Sequence, residues 1–135
     1  MQEFKLDLQN GITLSSNLSE SEISKMADIN ERNLGNGYVW YALSPIEICG
    51  EAIIFSLCFF QSKIQVLNIS VANPDKYGSS WNDFNEAKEK LRAKDTEKWL
   101  FNIGYKVGKF SWGEIWAGYD PKAGSGHAVI RYGLL

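Results

Sequence analysis

Asp120 and His127 bracket one loop in "GYDPKAGSGHAVIRY" and, with Glu114, Lys122 and Arg131, form the cluster whose residue types best suit proton transfer. An acid–base pair needs a carboxylate and an imidazole within hydrogen-bond reach, and a hairpin turned by Asp120-Pro121 brings the two ends of its loop together. No nucleophile or second base is identifiable beside them. The same residues therefore also fit a plainer arrangement, with Asp120 capping the turn and His127 exposed at the start of a strand. A single histidine in the chain excludes a two-histidine metalloprotease helix and any three-histidine metal centre. Cys49 and Cys58 lack zinc-ligand spacing and are expected to be buried, reduced thiols. "GYKVGK", Gly104 to Lys109, is one residue short of a phosphate loop and lacks the hydroxyl residue after lysine. There is no GxSxG elbow and no GxGxxG after a strand. The expectation is no catalytic set, no metal and no cofactor.

Five tryptophans in 135 residues are dense. Trp81 and Trp99 belong with a helical stripe and are expected in the core. Trp40, Trp112 and Trp116 lie on strands that alternate aromatic and polar residues, so they either pack or face a partner. Exposed, Trp112 and Trp116 would join Asp120 and His127 in a site for a small ligand or carbohydrate.

The elements that must hold these residues read clearly in places. Phe4, Leu6 and Leu8 alternate as a half-buried strand; Asn10-Gly11 turns it, and Ile12 to Leu14 return. Ser19 and Glu22 make a capping box for a short helix to about Met26. "NERNLGNG", Asn30 to Gly37, reads as a loop on composition. Tyr38 to Leu43, Ala52 to Phe60 and Ile64 to Val71 read as strands. The middle one is apolar on both parities and so expected to be covered on both faces. Ser79 or Ser80 is expected to cap a helix reaching about Ile103, with Gly104 as its stop. Phe84, Ala87, Leu91, Trp99 and Ile103 would form its apolar stripe, interrupted by Asp95. The alternating charges between Asp83 and Lys98 read as a solvated face, with pairs such as Glu86 and Lys90. Phe110 to Tyr119 and His127 to Tyr132 form a hairpin around "DPKAGSG". The sum is one α+β domain over residues 1–135: a mainly antiparallel sheet of about five or six strands, one long helix on one face and a short N-terminal helix.

Net charge is −2, which argues against a dedicated nucleic-acid partner. Its distribution is uneven. Residues 1–51 carry eight acids against three bases, while the remainder is basic by three charges, a split able to orient a charged partner. The most apolar window, Ala52 to Phe60, is about half the length of a membrane-spanning helix, so no membrane partner is expected. With no basic start followed by an apolar run at the N-terminus, the expected location is the cytoplasm.

The segments "YGSSWNDF…EKWL" and "FSWGEIWAGYDPKAGSGHAVIRY" resemble a group of small bacterial proteins with a Tyr-Gly-x-Ser-Trp helix start and a Trp-Gly-x-Ile…Tyr-Asp-Pro-Lys-x-Gly hairpin. Over about the C-terminal 60 residues the chain is similar to the immunity partners of polymorphic or contact-dependent bacterial toxins. That resemblance implies a protein that masks a cognate toxin, with no catalytic residues to carry over. The acidic N-terminal third then suggests Glu20, Glu22, Asp28 and Glu31 as the carboxylates that meet a basic toxin surface. A small-ligand module at Trp112 and Trp116, and an enzyme using Asp120 and His127, stand as rival readings. Exposed strand edges permit a dimer without specifying one.

Overall fold

A computed structural model of the chain describes residues 2–8, 11–26, 28–78 and 84–133. The N-terminal alternation gives β1 (Leu6–Asp7), paired antiparallel with β2 (Thr13–Leu14). Next comes α1 (Glu20–Ser24), and its capping box is formed: Ser19 Oγ accepts from the Glu22 amide, and the Glu22 carboxylate accepts from the Ser19 amide. Then follow β3 (Ile29–Asn33), β4 (Tyr38–Leu43), β5 (Ile46–Ile48), β6 (Glu51–Phe60) and β7 (Lys63–Val71). Asn73 caps the single turn α2 (Pro74–Tyr77), and Asn85 caps the long α3 (Glu86–Asn102). The chain ends in β8 (Gly108–Phe110), β9 (Gly113–Asp120) and β10 (Ser125–Tyr132).

The α+β class and antiparallel pairing are as expected, but the main sheet has eight strands rather than five or six. Its order is β3-β4-β6-β7-β10-β9-β8, with β5 pairing onto β6. The additional strands have physical reasons for escaping a pattern search. β3 replaces the first half of the expected loop: it is an edge strand, exposed at four of its five residues, so it needs no apolar alternation and carries charge instead. β5 and β8 have three residues each, too few to show a period.

Register fixes the two faces. Tyr41, Leu57, Leu67, Ile130 and Ile115 lie in one row across five strands, and Phe55, Ile69 and Ala128 lie in the next. All of these are buried, and Phe4, Leu14, Leu18, Ile23, Trp99 and Leu100 close over them. The same face is thus roofed in two pieces, by the N-terminal segment with α1 and by α3. The opposite face, carrying Trp40, Ser56, Asn68, Val129, Trp116 and His127, has no helix on it among the described residues. Among those residues β6 is therefore covered by an element on one face only, against expectation. On its other face Cys58 is buried by its neighbours, whereas Cys49 is exposed in the turn to β6, so only one thiol follows the forecast.

The helix differs most. The expected caps Ser79 and Ser80, together with Trp81 and Asp83, lie outside the described residues, and α3 begins at Glu86. Trp99 is buried as expected, but Phe84, Ala87 and Leu91 are exposed. The buried face is Glu89, Ala93, Thr96, Trp99 and Leu100. Small and polar residues are used here because helix and strand are nearly in backbone contact: a Cβ on Gly126 of β10 would lie 1.7 Å from the Glu89 carbonyl oxygen. Thr96 serves the same joint, its Oγ1 accepting from the Val71 amide at 3.1 Å and donating to the Arg92 carbonyl at 2.8 Å. Among the described residues no helix is long and apolar enough to cross a membrane.

Candidate functional site

The hairpin of β9 and β10 places the chemistry-bearing residues on the uncovered face and its rim. Its turn is Pro121 to Gly124, and β10 starts two residues earlier than expected, at Ser125. The Asp120 carboxylate accepts from the Lys122 amide at 2.9 Å, and its carbonyl accepts from Gly124 at 2.8 Å. Asp120 thus caps the turn, as the plainer reading held. His127 departs from that reading because it is half-buried, edge-on to Trp116 with ring centroids 5.8 Å apart. Its Nδ1 lies 3.0 Å from Ser125 Oγ.

Two shallow hollows meet at these side chains. One, of about 380 Å³, runs beside Trp116, Pro121 and Val129 with Glu114 and Arg131 at its rim; the other, of about 250 Å³, lies over Ser56, Asn68 and Ser70. Asp120 and His127 line both. The groove combines an indole that is 39% exposed with short polar side chains, a lining suited to a polar ligand or to a partner's side chain. Serine, histidine and aspartate are neighbours here without forming a catalytic relay. Such a relay needs the carboxylate on one ring nitrogen and the serine on the other, whereas the bond the Asp120 carboxylate makes goes to the Lys122 amide.

Trp112 does not join the groove. It falls in the turn before β9 starts, so the alternation that places Trp116 does not extend to it. It stacks on Phe110 at 5.5 Å and meets Tyr132 at 6.1 Å, packed against the core beneath the covered face. Trp40 is half-buried on the uncovered face, across from Cys58.

The four N-terminal carboxylates gather around α1 and the β3 edge. Glu20 is half-buried and accepts from the Tyr41 hydroxyl at 2.6 Å. Glu22 is exposed while closing its cap, and Asp28 and Glu31 are exposed. Burial, reinforced by Glu20 and Glu31, pushes the Tyr41 hydroxyl well above the usual phenol range, so it stays a donor to Glu20.

A second polar cluster, which pattern reading missed, joins α2 to α3. The Tyr77 hydroxyl donates to Asp95, Lys76 pairs with Asp95 at 2.8 Å, and the Arg92 guanidinium lies over the Tyr77 ring at 4.9 Å. Burial works against the Asp95 charge, but Lys76 and Tyr77 outweigh it and hold the carboxyl below its usual range. Asp95 interrupts the apolar stripe because it is the acceptor for this cluster. Among the described residues no group of histidine, cysteine and carboxylate side chains could hold a metal ion.

Burial also pushes the His127 imidazole below its usual value, against the opposing pull of Asp120, Ser125 and Glu89. The unfolded chain therefore binds this proton first. Stability is full above about pH 6.5 and falls as pH drops from there towards the lower folded value. Asp95 acts only at more acid pH, because its folded value lies below an already low carboxyl range. Urea unfolding between pH 7.5 and 5.5 is expected to show declining stability in the native chain and a flatter profile in His127→Asn. Equal slopes in the two would contradict this.

No family model matches the chain, and no curated protein matches it. Among solved structures, a chain of the complex "Rhs1-CT in complex with cognate immunity protein RhsI1" is similar, with a TM-score of 0.56 and 16% identity. The match covers 96% of this chain and 83% of that one. At that identity the likeness is one of fold.

Proposed function

We propose that this chain is an immunity-type protein that binds a cognate toxin domain and masks it. The observation that carries the reading is the fold shared, over nearly the whole chain, with a chain of a toxin–immunity complex. Masking requires surface rather than chemistry, and among the described residues the Asp120 carboxylate at the groove is bonded to the Lys122 amide. In this reading Glu20, Glu22, Asp28 and Glu31 present negative charge to a basic toxin surface, with Asp28 and Glu31 the exposed pair on and beside β3. Glu20 and Glu22 contribute charge while also holding Tyr41 and the α1 cap.

The test is co-expression with the toxin domain encoded by the neighbouring reading frame. Growth restored by this chain, and a complex that survives co-purification, are expected; Asp28→Lys with Glu31→Lys should weaken both. Failure to protect against any neighbouring toxin candidate would sink the proposal. The exposed indole of Trp116 above Asp120 and His127 favours a second reading, a small polar ligand or carbohydrate in the groove. That reading requires saturable quenching of Trp116 fluorescence by the ligand.

A further inference from the structure

Ala87 and Leu91, two of the α3 residues that sequence periodicity assigns to the core, instead face solvent, while Trp99 packs inward. At 100° per residue, Ala87, Leu91, Lys94, Lys98 and Phe101 fall within roughly 80° of one another, on the side away from Glu89, Ala93, Thr96 and Leu100. Leu91 is 39% and Phe101 61% exposed, and Val107 just beyond the helix is 42% exposed. Lys88, Lys94, Lys98, Lys106 and Lys109 are all exposed around them. Among the described residues Lys88, Lys94 and Lys98 form no ion pair, although Lys98 adds to the positive field at Asp95; the other acids flanking this surface are Glu97 and Glu86, the latter tied to Lys90 at 2.9 Å. Folding does not account for this pattern, since the helix is fixed from its other side by Gly126, Thr96 and Trp99. Exposed apolar side chains interleaved with lysines on one helix face give a surface that offers both anchors and charge to a protein partner.

We propose that the outer face of α3 is a partner-docking surface that takes an apolar patch rimmed by carboxylates, and that this patch belongs to the masked toxin. The inference rests on the toxin-binding reading and extends it. α3 and the acidic α1 segment roof the same face of the sheet, so one partner reaches both, meeting positive charge at one end and negative at the other. Such opposed charge fixes the orientation of docking as well as its rate. A protein fits this surface better than a lipid bilayer, because Glu86 and Glu97 interrupt the lysines and the exposed apolar side chains are few and dispersed.

The test titrates the full chain against the neighbouring toxin domain by calorimetry at low and moderate salt. Two double variants are compared, Leu91→Ser with Phe101→Ser and Lys94→Glu with Lys98→Glu. Both alter exposed positions, and an unchanged urea midpoint shows that the fold is intact. Each is expected to weaken binding by about tenfold or more, which is what loss of a hot-spot anchor or of close charge pairing produces. The lysine variant should also flatten the salt dependence. Wild-type affinity in both variants would overturn the α3 surface while leaving toxin binding intact. Failure of the native chain to bind would overturn the toxin reading and this inference together. Binding of the native chain to phosphatidylglycerol vesicles, lost in the lysine variant with toxin affinity unchanged, would assign the face to membrane instead. Concentration-dependent dimers abolished by the variants, again with toxin affinity unchanged, would assign it to a second copy of the chain.

Discussion

Gly126→Ala is expected to be among the most damaging conservative substitutions in this protein, destabilising it by about 3 kcal/mol or more. The methyl group would be placed 1.7 Å from the Glu89 carbonyl oxygen, 2.8 Å from its carbon and 2.9 Å from the Ala93 nitrogen. These are backbone atoms of a regular helix, so no side chain can rotate aside, and α3 must lift from β10. Lifting lengthens the 3.1 Å hydrogen bond from the Gly126 amide to the Glu89 carboxylate and opens the contacts of Trp99, Leu100 and Thr96 with the sheet. Small adjustments cannot relieve so close a contact, because packed cores resist gradual deformation. Urea denaturation would show the loss as a lowered midpoint at similar slope. A midpoint within about 0.5 kcal/mol of the native value, the ordinary range for surface changes, would mean that α3 does not sit where described.

The same joint shows which parts of the fold were legible in the sequence. β4, β6 and β7 were visible as runs rich in apolar, aromatic and β-branched residues, β6 apolar on both parities, and the α1 cap was visible because a capping box is a local interaction between Ser19 and Glu22. The β9–β10 hairpin was visible from its turn residues, and it places Asp120, His127 and Trp116 beside one groove, without Trp112. α3 was readable as a helix but not in orientation. Periodicity finds where apolar residues cluster, and it assumes that the cluster faces inward. Here the inward side is selected by closeness of approach, which favours Ala93, Thr96 and the unsubstituted backbone of Gly126 over Leu91. The burial of Glu89 was illegible for a related reason: a carboxylate reads as surface until its buried partner, a backbone amide 37 residues away in sequence, is known. Trp112, left open in the sequence between core and surface, packs against the core because it lies in the turn before β9 rather than in the strand. Partner surface is the least legible of all, since exposed charge looks alike whether or not something binds it.

Glu89→Ala is the second large effect expected, at roughly 3 kcal/mol, because removing one member of a buried pair strands the other. Glu89 Oε1 accepts from the Gly126 amide and stands 3.4 Å from Arg92 Nε. The Arg92 contact is electrostatic rather than a hydrogen bond, since Nε is buried and has no hydrogen-bond partner among the described residues. Truncation therefore leaves a buried amide unbonded and a largely buried guanidinium without this counter-charge, lying over the Tyr77 ring. Glu89→Gln keeps an oxygen acceptor for Gly126 while removing the charge, so it separates the two contributions. A loss of only about 1 kcal/mol is expected there if the hydrogen bond dominates. Equal losses in the two variants would instead give the main role to the ion pair with Arg92. The outcome bears on recognition as well as stability. Glu89 helps fix the rotation of α3 about its own axis, and that rotation decides whether Leu91 and Phe101 project outward. A chain that folds with Glu89→Gln should still bind a partner through the outer face of α3, while a helix loosened by Glu89→Ala should lose affinity beyond its loss of folded population. If affinity corrected for the folded fraction is the same in all three chains, the joint is structural alone and presentation of the helix face does not depend on it.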